Sequence, residues 1–113
     1  RNSLVGYKAT EIGQMLENLV YSHLLRLGFK IHIGKLENKE IDFVAEKDGQ
    51  KLYVQVAYLI GDRATRNREF GNLLSIHDNY QKVVISMDKL IGSDYQGIKH
   101  WQIIDFLQND KLL

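Results

Sequence analysis

From Glu40 to Tyr58 apolar and polar residues alternate, break at Asp48-Gly49, and alternate again. Period-two alternation marks a strand with one buried face. Asp-Gly suits a two-residue type I′ turn, whose central positions both need positive φ. The pattern predicts a β-hairpin in which Lys47 faces Gln50, Val44 faces Tyr53, Asp42 faces Gln55 and Glu40 faces Ala57. Ile41, Phe43 and Ala45 then share a core face with Leu52, Val54, Val56 and Tyr58. The opposite face carries Glu40, Asp42, Val44, Tyr53, Gln55 and Ala57. Solvent exposure is the simple account of that second face, yet its apolar members imply partial cover. Aspartate is depleted in strands, so a carboxylate beside an amide there asks for a reason.

Before the hairpin, Ile12, Met15, Leu16, Leu19, Val20, His23, Leu24 and Leu27 recur at helical spacing, with Thr10 as N-cap and Gly28 as the stop. Glu17 borders that apolar stripe, and taken alone it is an ordinary edge glutamate. His23 lies inside the stripe and reads as a satisfied core histidine. Residues 1–9 contain Leu4, Val5 and Tyr7 without an assignable pattern. Residues 29–33 alternate as a strand, and residues 34–39 form a polar connection. After the hairpin, Asp62 caps a second helix reaching about Ile76, with Phe70, Leu73, Leu74 and His77 as its buried stripe. Residues 82–87 form an inner strand, residues 88–97 a loop, residues 98–103 a short last strand, and residues 105–109 a helical turn. A helix, a three-strand meander, a helical crossover and a further strand predict an α/β fold with a mixed sheet flanked by helices.

Composition narrows the function classes. A chain of 113 residues with 44% hydrophobic and 26% charged residues is one globular domain with a core of its own. The absence of cysteine excludes disulfides, thiolate metal sites and cysteine nucleophiles, and fits a reducing cytoplasm. No apolar run approaches the roughly 20 residues that span a bilayer. A net charge of +1 names no partner, so nucleic-acid binding would need a local patch. Arg63, Arg66 and Arg68 crowd the start of the second helix and could meet phosphate. A solvated helix face with Glu69 as partner is the simpler account. Arginines there oppose the helix dipole, which hints at another duty. The chain opens on Arg1 rather than Met, which suggests a piece of a longer protein.

A helix-borne glutamate followed by a hairpin with an acid on one strand and an acceptor opposite resembles the PD-(D/E)XK nuclease superfamily, the restriction-endonuclease-like fold with its αβββαβ core. Several stretches resemble a narrower family, the C-terminal domain of bacterial and archaeal AAA-type ATPases. They are Ile12-Gly-Gln-Met-Leu-Glu-Asn-Leu-Val-Tyr, Gly34-Lys-Leu-Glu-Asn-Lys-Glu-Ile-Asp-Phe-Val-Ala, Val54-Gln-Val-Ala-Tyr-Leu and Arg68-Glu-Phe-Gly-Asn-Leu-Leu-Ser-Ile-His-Asp-Asn-Tyr. The likeness runs from about Tyr7 to about Trp101. It implies an attached ATPase core that holds the ATP, with none bound in this domain. Carried over by position, Glu17 is the helix glutamate, Asp42 the metal aspartate and Gln55 the first residue of the (D/E)-x-K motif. Glu17 and Asp42 would then meet Mg²⁺ or Mn²⁺.

The departures count against catalysis. Mg²⁺ prefers carboxylates with water and phosphate, and the Gln55 carbonyl is a weaker ligand. Ala57 stands at the lysine position and supplies no cation to the developing phosphate charge. Lys51 lies about 13 Å along the strand, Lys39 faces away, and Arg63 or Arg66 would have to reach in. Glu40, opposite Ala57, adds only a carboxylate. Three readings follow, in this order: a nuclease-like accessory domain with a degenerate site that binds DNA, RNA or a partner; a structural assembly module with Glu17, Asp42 and Gln55 in a buried network; and an active nuclease with a migrated basic residue. Oligomeric state stays open.

Overall fold

The computed structural model describes residues 9–36, 39–61, 63–89, 94–95 and 97–110. Helix α1 spans Ala9–Arg26, followed by strands β1 (Lys30–Leu36), β2 (Lys39–Lys47) and β3 (Gln50–Val56). Helix α2 (Arg63–Leu74), strand β4 (Gln81–Ser86), the two-residue β5 (Asp94–Tyr95), β6 (Ile98–Gln102) and the short α3 (Ile103–Leu107) complete the order. The strands form one mixed sheet in the order β1-β2-β3-β4-β6-β5. The first three run as an antiparallel meander, while β3, β4 and β6 are mutually parallel. The fold is α/β with helices on both faces, as the element order predicts.

Local chemistry accounts for most boundaries. At the end of α1, Phe29 N–H donates to Leu24 O and Gly28 N–H donates to Leu25 O, at 3.1 and 3.0 Å. These two bonds are the Schellman pattern, with Leu24 and Phe29 both buried in the core behind it. The hairpin turn has φ 54° at Asp48 and 79° at Gly49, the two positive values a type I′ turn needs. From that turn the register is the expected one, from Lys47↔Gln50 to Phe43↔Val54.

Other boundaries differ. Helix α1 begins at Ala9, so Thr10 lies inside the first turn rather than ahead of it. Strand β1 runs on to Leu36, because the meander pairs the supposed connection with β2. Asp94–Tyr95 adds a strand in a stretch read as loop, by pairing with β6. Helix α3 starts at Ile103, two residues before the expected turn, because Gln102 Oε1 accepts the Ile104 N–H at 2.7 Å. Asp62, Leu4, Val5, Tyr7 and the side chains of Lys39 and Glu40 lie outside the described residues.

Two cores flank the sheet. Under α1, Leu16, Val20 and Leu24 pack on Ala45, Leu52, Val54, Val56, Val83 and Ile85, with Ile103 and Phe106 closing one end. Met15 and Leu19, assigned to the buried stripe, are 53% and 46% exposed, since the sheet meets a narrower arc of the helix. His23 is a satisfied core histidine: its Nε2 lies 2.9 Å from Asn109 O, and its ring meets Phe106 edge-on. Under α2, Phe70 and Leu73 pack with Ile60, Ile76, Val84, Ile98 and Ile41. His77, expected in that stripe, is exposed because α2 has already ended at Leu74. Among the described residues no helix is long and apolar enough to cross a membrane.

Ile41 is the other misplaced residue. The β1–β2 register slips between His32↔Val44 and Gly34↔Ile41, so Asp42 and Phe43 together oppose Ile33. This β-bulge resets the alternation and sends Ile41 to the α2 side, while Phe43 packs on the α1 side. Gly34 sits against the bulge. A Cβ there would lie 2.7 Å from Val44 Cγ2 and 2.9 Å from Ile41 Cβ, so the close approach leaves room for glycine alone.

Candidate functional site: an acidic cluster at the hairpin split

The bulge places Asp42 where β2 and β3 cease to pair. In an unbroken ladder Val56 N–H would go to the backbone of Ile41. Instead it donates to Asp42 Oδ2 at 2.8 Å. The Asp42 N–H donates to Gln55 Oε1 at 2.7 Å. Gln55 is 3% exposed, and its Nε2 donates to Glu69 Oε1 at 3.4 Å. Two side chains thus stand in for the last rungs of the ladder. The expected Asp42–Gln55 opposition is realised through side chains.

Two glutamates approach this split from opposite sides of the sheet, Glu17 from α1 and Glu69 from α2. The Glu17 carboxyl is raised above the ordinary value, first by burial and then by the Asp42 charge. Glu69 is raised by burial, then by Asp42, and the neighbouring Arg68 opposes the shift. Both effects are the ordinary response of a carboxylate to lost solvent and a like charge. Arg68 Nε lies 3.7 Å from Glu69 Oε2.

Asp42, Gln55 and Glu69 are therefore linked by hydrogen bonds, and Glu17 lies close enough for the Asp42 charge to act on it. Glu69 was assigned above only as a surface partner for arginines. Its spacing carried the signal: it lies four residues before Leu73, on the helix side that faces the sheet. An amide is the group that suits position 55. One end accepts an N–H while the other donates to Glu69, whereas a carboxylate there would face Glu69 with like charge.

The remaining assigned residues scatter. Ala57 is partly buried in the α2-side core, and its N–H donates to Ile85 O. Lys51 turns toward Tyr80, with Nζ 5.5 Å from the ring centroid. Arg66 reaches back to Ile60 O and Gly61 O, at 3.4 and 3.1 Å. It braces the turn into α2, which accounts for a cation at a helix start. Arg63 is exposed.

A second polar cluster lies at the C-terminal end of β4, in line with Gln55 across the sheet through the row Gln55↔Val84↔His100. Ser86 Oγ and His100 Nε2 share a hydrogen bond of 2.7 Å, and Asp88 N–H donates to Ser86 Oγ. The residue types match a nucleophilic set, but Ser86 is fully buried, so no substrate reaches its hydroxyl. Burial also holds His100 below its usual value, against the pull of Asp88.

No family model matches the chain. A Haemophilus influenzae protein described only as uncharacterised is 39% identical over 107 residues, 95% of this chain. The chain spans about a quarter of that relative's length, 26%.

Proposed function

We propose that this chain is an accessory domain with a PD-(D/E)XK nuclease-like fold, a degenerate metal site and a nucleic-acid-binding role beside an AAA-type ATPase. The αβββαβ order with an acid cluster at the hairpin split supports the nuclease likeness, and a far longer relative supports an attached region. The observation that carries the degenerate-site reading is the hydrogen bond from Asp42 N–H to Gln55 Oε1 at 2.7 Å. It spends the amide oxygen on the backbone, so Gln55 does not fit as a metal ligand. Glu17 and Asp42 would hold a Mg²⁺ or Mn²⁺, with water and phosphate completing the shell. The ion would offset the charge crowded there. No lysine stands at position 57 to assist a hydrolytic step.

The test incubates labelled single- and double-stranded DNA with the domain and Mn²⁺, beside Asp42→Asn. Binding without cutting in both proteins is the expected result. Cutting that disappears in Asp42→Asn overturns the degenerate-site reading. One observation favours that alternative, an active nuclease: Arg68, 3.7 Å from Glu69, is a cation at the edge of the acid cluster and would be the migrated basic residue. Absence of binding to either DNA moves the assignment to an assembly module.

A further inference from the structure

Strand β1 ends the sheet. Among the described residues no strand pairs with its outer edge, which is seven residues long, Lys30 to Leu36. A row of outward N–H and C=O groups of that length is a template for another strand. Natural edges are blunted by charge, by proline or by a bulge that twists them away. The chain has no proline. The bulge lies on β2, where Asp42 and Phe43 oppose Ile33, so the β1 backbone stays regular. Lys30 and Lys35 each stand opposite a glutamate in the register, Glu46 and Glu40. At the middle of the edge is Ile33, 75% exposed, the most exposed large apolar residue among those described.

Two copies of this strand fit each other. In an antiparallel pair about a two-fold axis at Ile33, Ile33 faces its own copy, Lys30 faces Leu36 of the second copy and Ile31 faces Lys35 of the second copy. No lysine meets a lysine, and the two Lys30 positions stand about 20 Å apart along the strands. The axis receives a cross-strand pair of β-branched side chains. The other end of the sheet offers no comparable edge, because β5 has two residues, Asp94–Tyr95. Head-to-tail addition of β1 to β5 therefore fails, and association closes at two copies.

We propose that the outer edge of β1 pairs antiparallel with β1 of a second copy of this chain, joining the two sheets across a two-fold axis at Ile33. The proposal stands whether or not the domain binds nucleic acid. It has a geometric consequence for the acid cluster. Asp42 opposes Ile33 from β2, so the two Asp42 backbones come to lie about 14 Å apart, three strand spacings, on either side of the axis.

The test uses the absence of cysteine: Ile33→Cys supplies a single thiol, at the axis. Directly opposed residues of an antiparallel pair have Cα atoms about 4.5–5.5 Å apart, within the span of a disulfide. Mild oxidation of dilute protein is expected to give a covalent dimer with Ile33→Cys. Ile104→Cys, at an exposed position on α3, is expected to stay uncross-linked. Sedimentation of the unaltered chain is expected to show a dimer that dissociates on dilution. Ile33→Lys sets two cations face to face and is expected to weaken it about tenfold. Ile33 belongs to neither core, so these variants keep the fold. An unaltered chain that is monomeric at millimolar concentration overturns the proposal and leaves the edge to a strand of a different protein. A dimer that fails to cross-link through Ile33→Cys, or that withstands Ile33→Lys, overturns it as well, since the copies then meet through another face.

Discussion

Under α1 the sheet presents Ala45, Leu52, Val54, Val56, Val83 and Ile85, all buried and all apolar. Under α2 the same strands present Gln55, Ser86 and His100 among Ile41, Val84 and Ile98. Strand geometry requires such a pair of faces, since neighbouring residues point apart. It does not require them to differ in chemistry. The α1 side holds the domain together by burial. The α2 side places polar groups at low dielectric, where each needs a partner. Among the described residues no buried side-chain nitrogen or oxygen lacks one. Even so, Glu17 and Glu69 are held above their ordinary values by burial and by Asp42. A cluster that raises its own carboxyl values works against the stability of the ionised fold.

The sharpest way to break the comparison is to weaken the apolar face. Leu24→Ala, at a fully buried position, should cost about 2–5 kcal/mol in denaturant unfolding. An effect near zero would mean that α1 does not anchor the domain. Gly34→Ala should cost about 1–3 kcal/mol, because the new methyl meets Val44 and Ile41 and the bulge has to move. The same variant should disturb the acid cluster, seen as altered amide signals at Asp42 and Gln55.

Asp42→Ala deprives Val56 N–H of its acceptor, a loss of about 1–3 kcal/mol. Relief of the charge on Glu17 and Glu69 should offset part of it. If Asp42→Ala proves as stable as the parent, the carboxylate is not a rung of the hairpin. The smallest effect is expected from Glu69→Gln, a gain of about 0.5 kcal/mol near neutral pH. Its sign follows from linkage. A carboxyl raised in the folded state binds protons more tightly there, which favours folding below the unfolded value. That advantage is lost as pH rises through the folded value. Glu69→Gln should therefore stabilise at neutral pH and lose its advantage as pH falls toward the ordinary glutamate value of 4.5. Thermal unfolding of both proteins across that window checks it. A gain that grows on acidification would reverse the assignment.

Much of this was legible from the chain alone. The hairpin, its turn and its register followed from alternation about Asp48-Gly49, because a two-residue turn and a period of two leave little freedom. The helices and the inner strand followed from spacing, and the α/β class from element order. Asp42 facing Gln55 was legible for the same reason. What only the tertiary structure decided is what those residues do there. The bulge opposite Ile33 depends on a strand whose pairing no local pattern announces, and it turned Ile41 to the other core. Glu69 and Arg66 acquired their roles when α2 docked, one bonded to Gln55 and the other to the turn before its own helix. Local periodicity reports which side of an element is apolar. What that side meets is set by packing between elements distant in the chain.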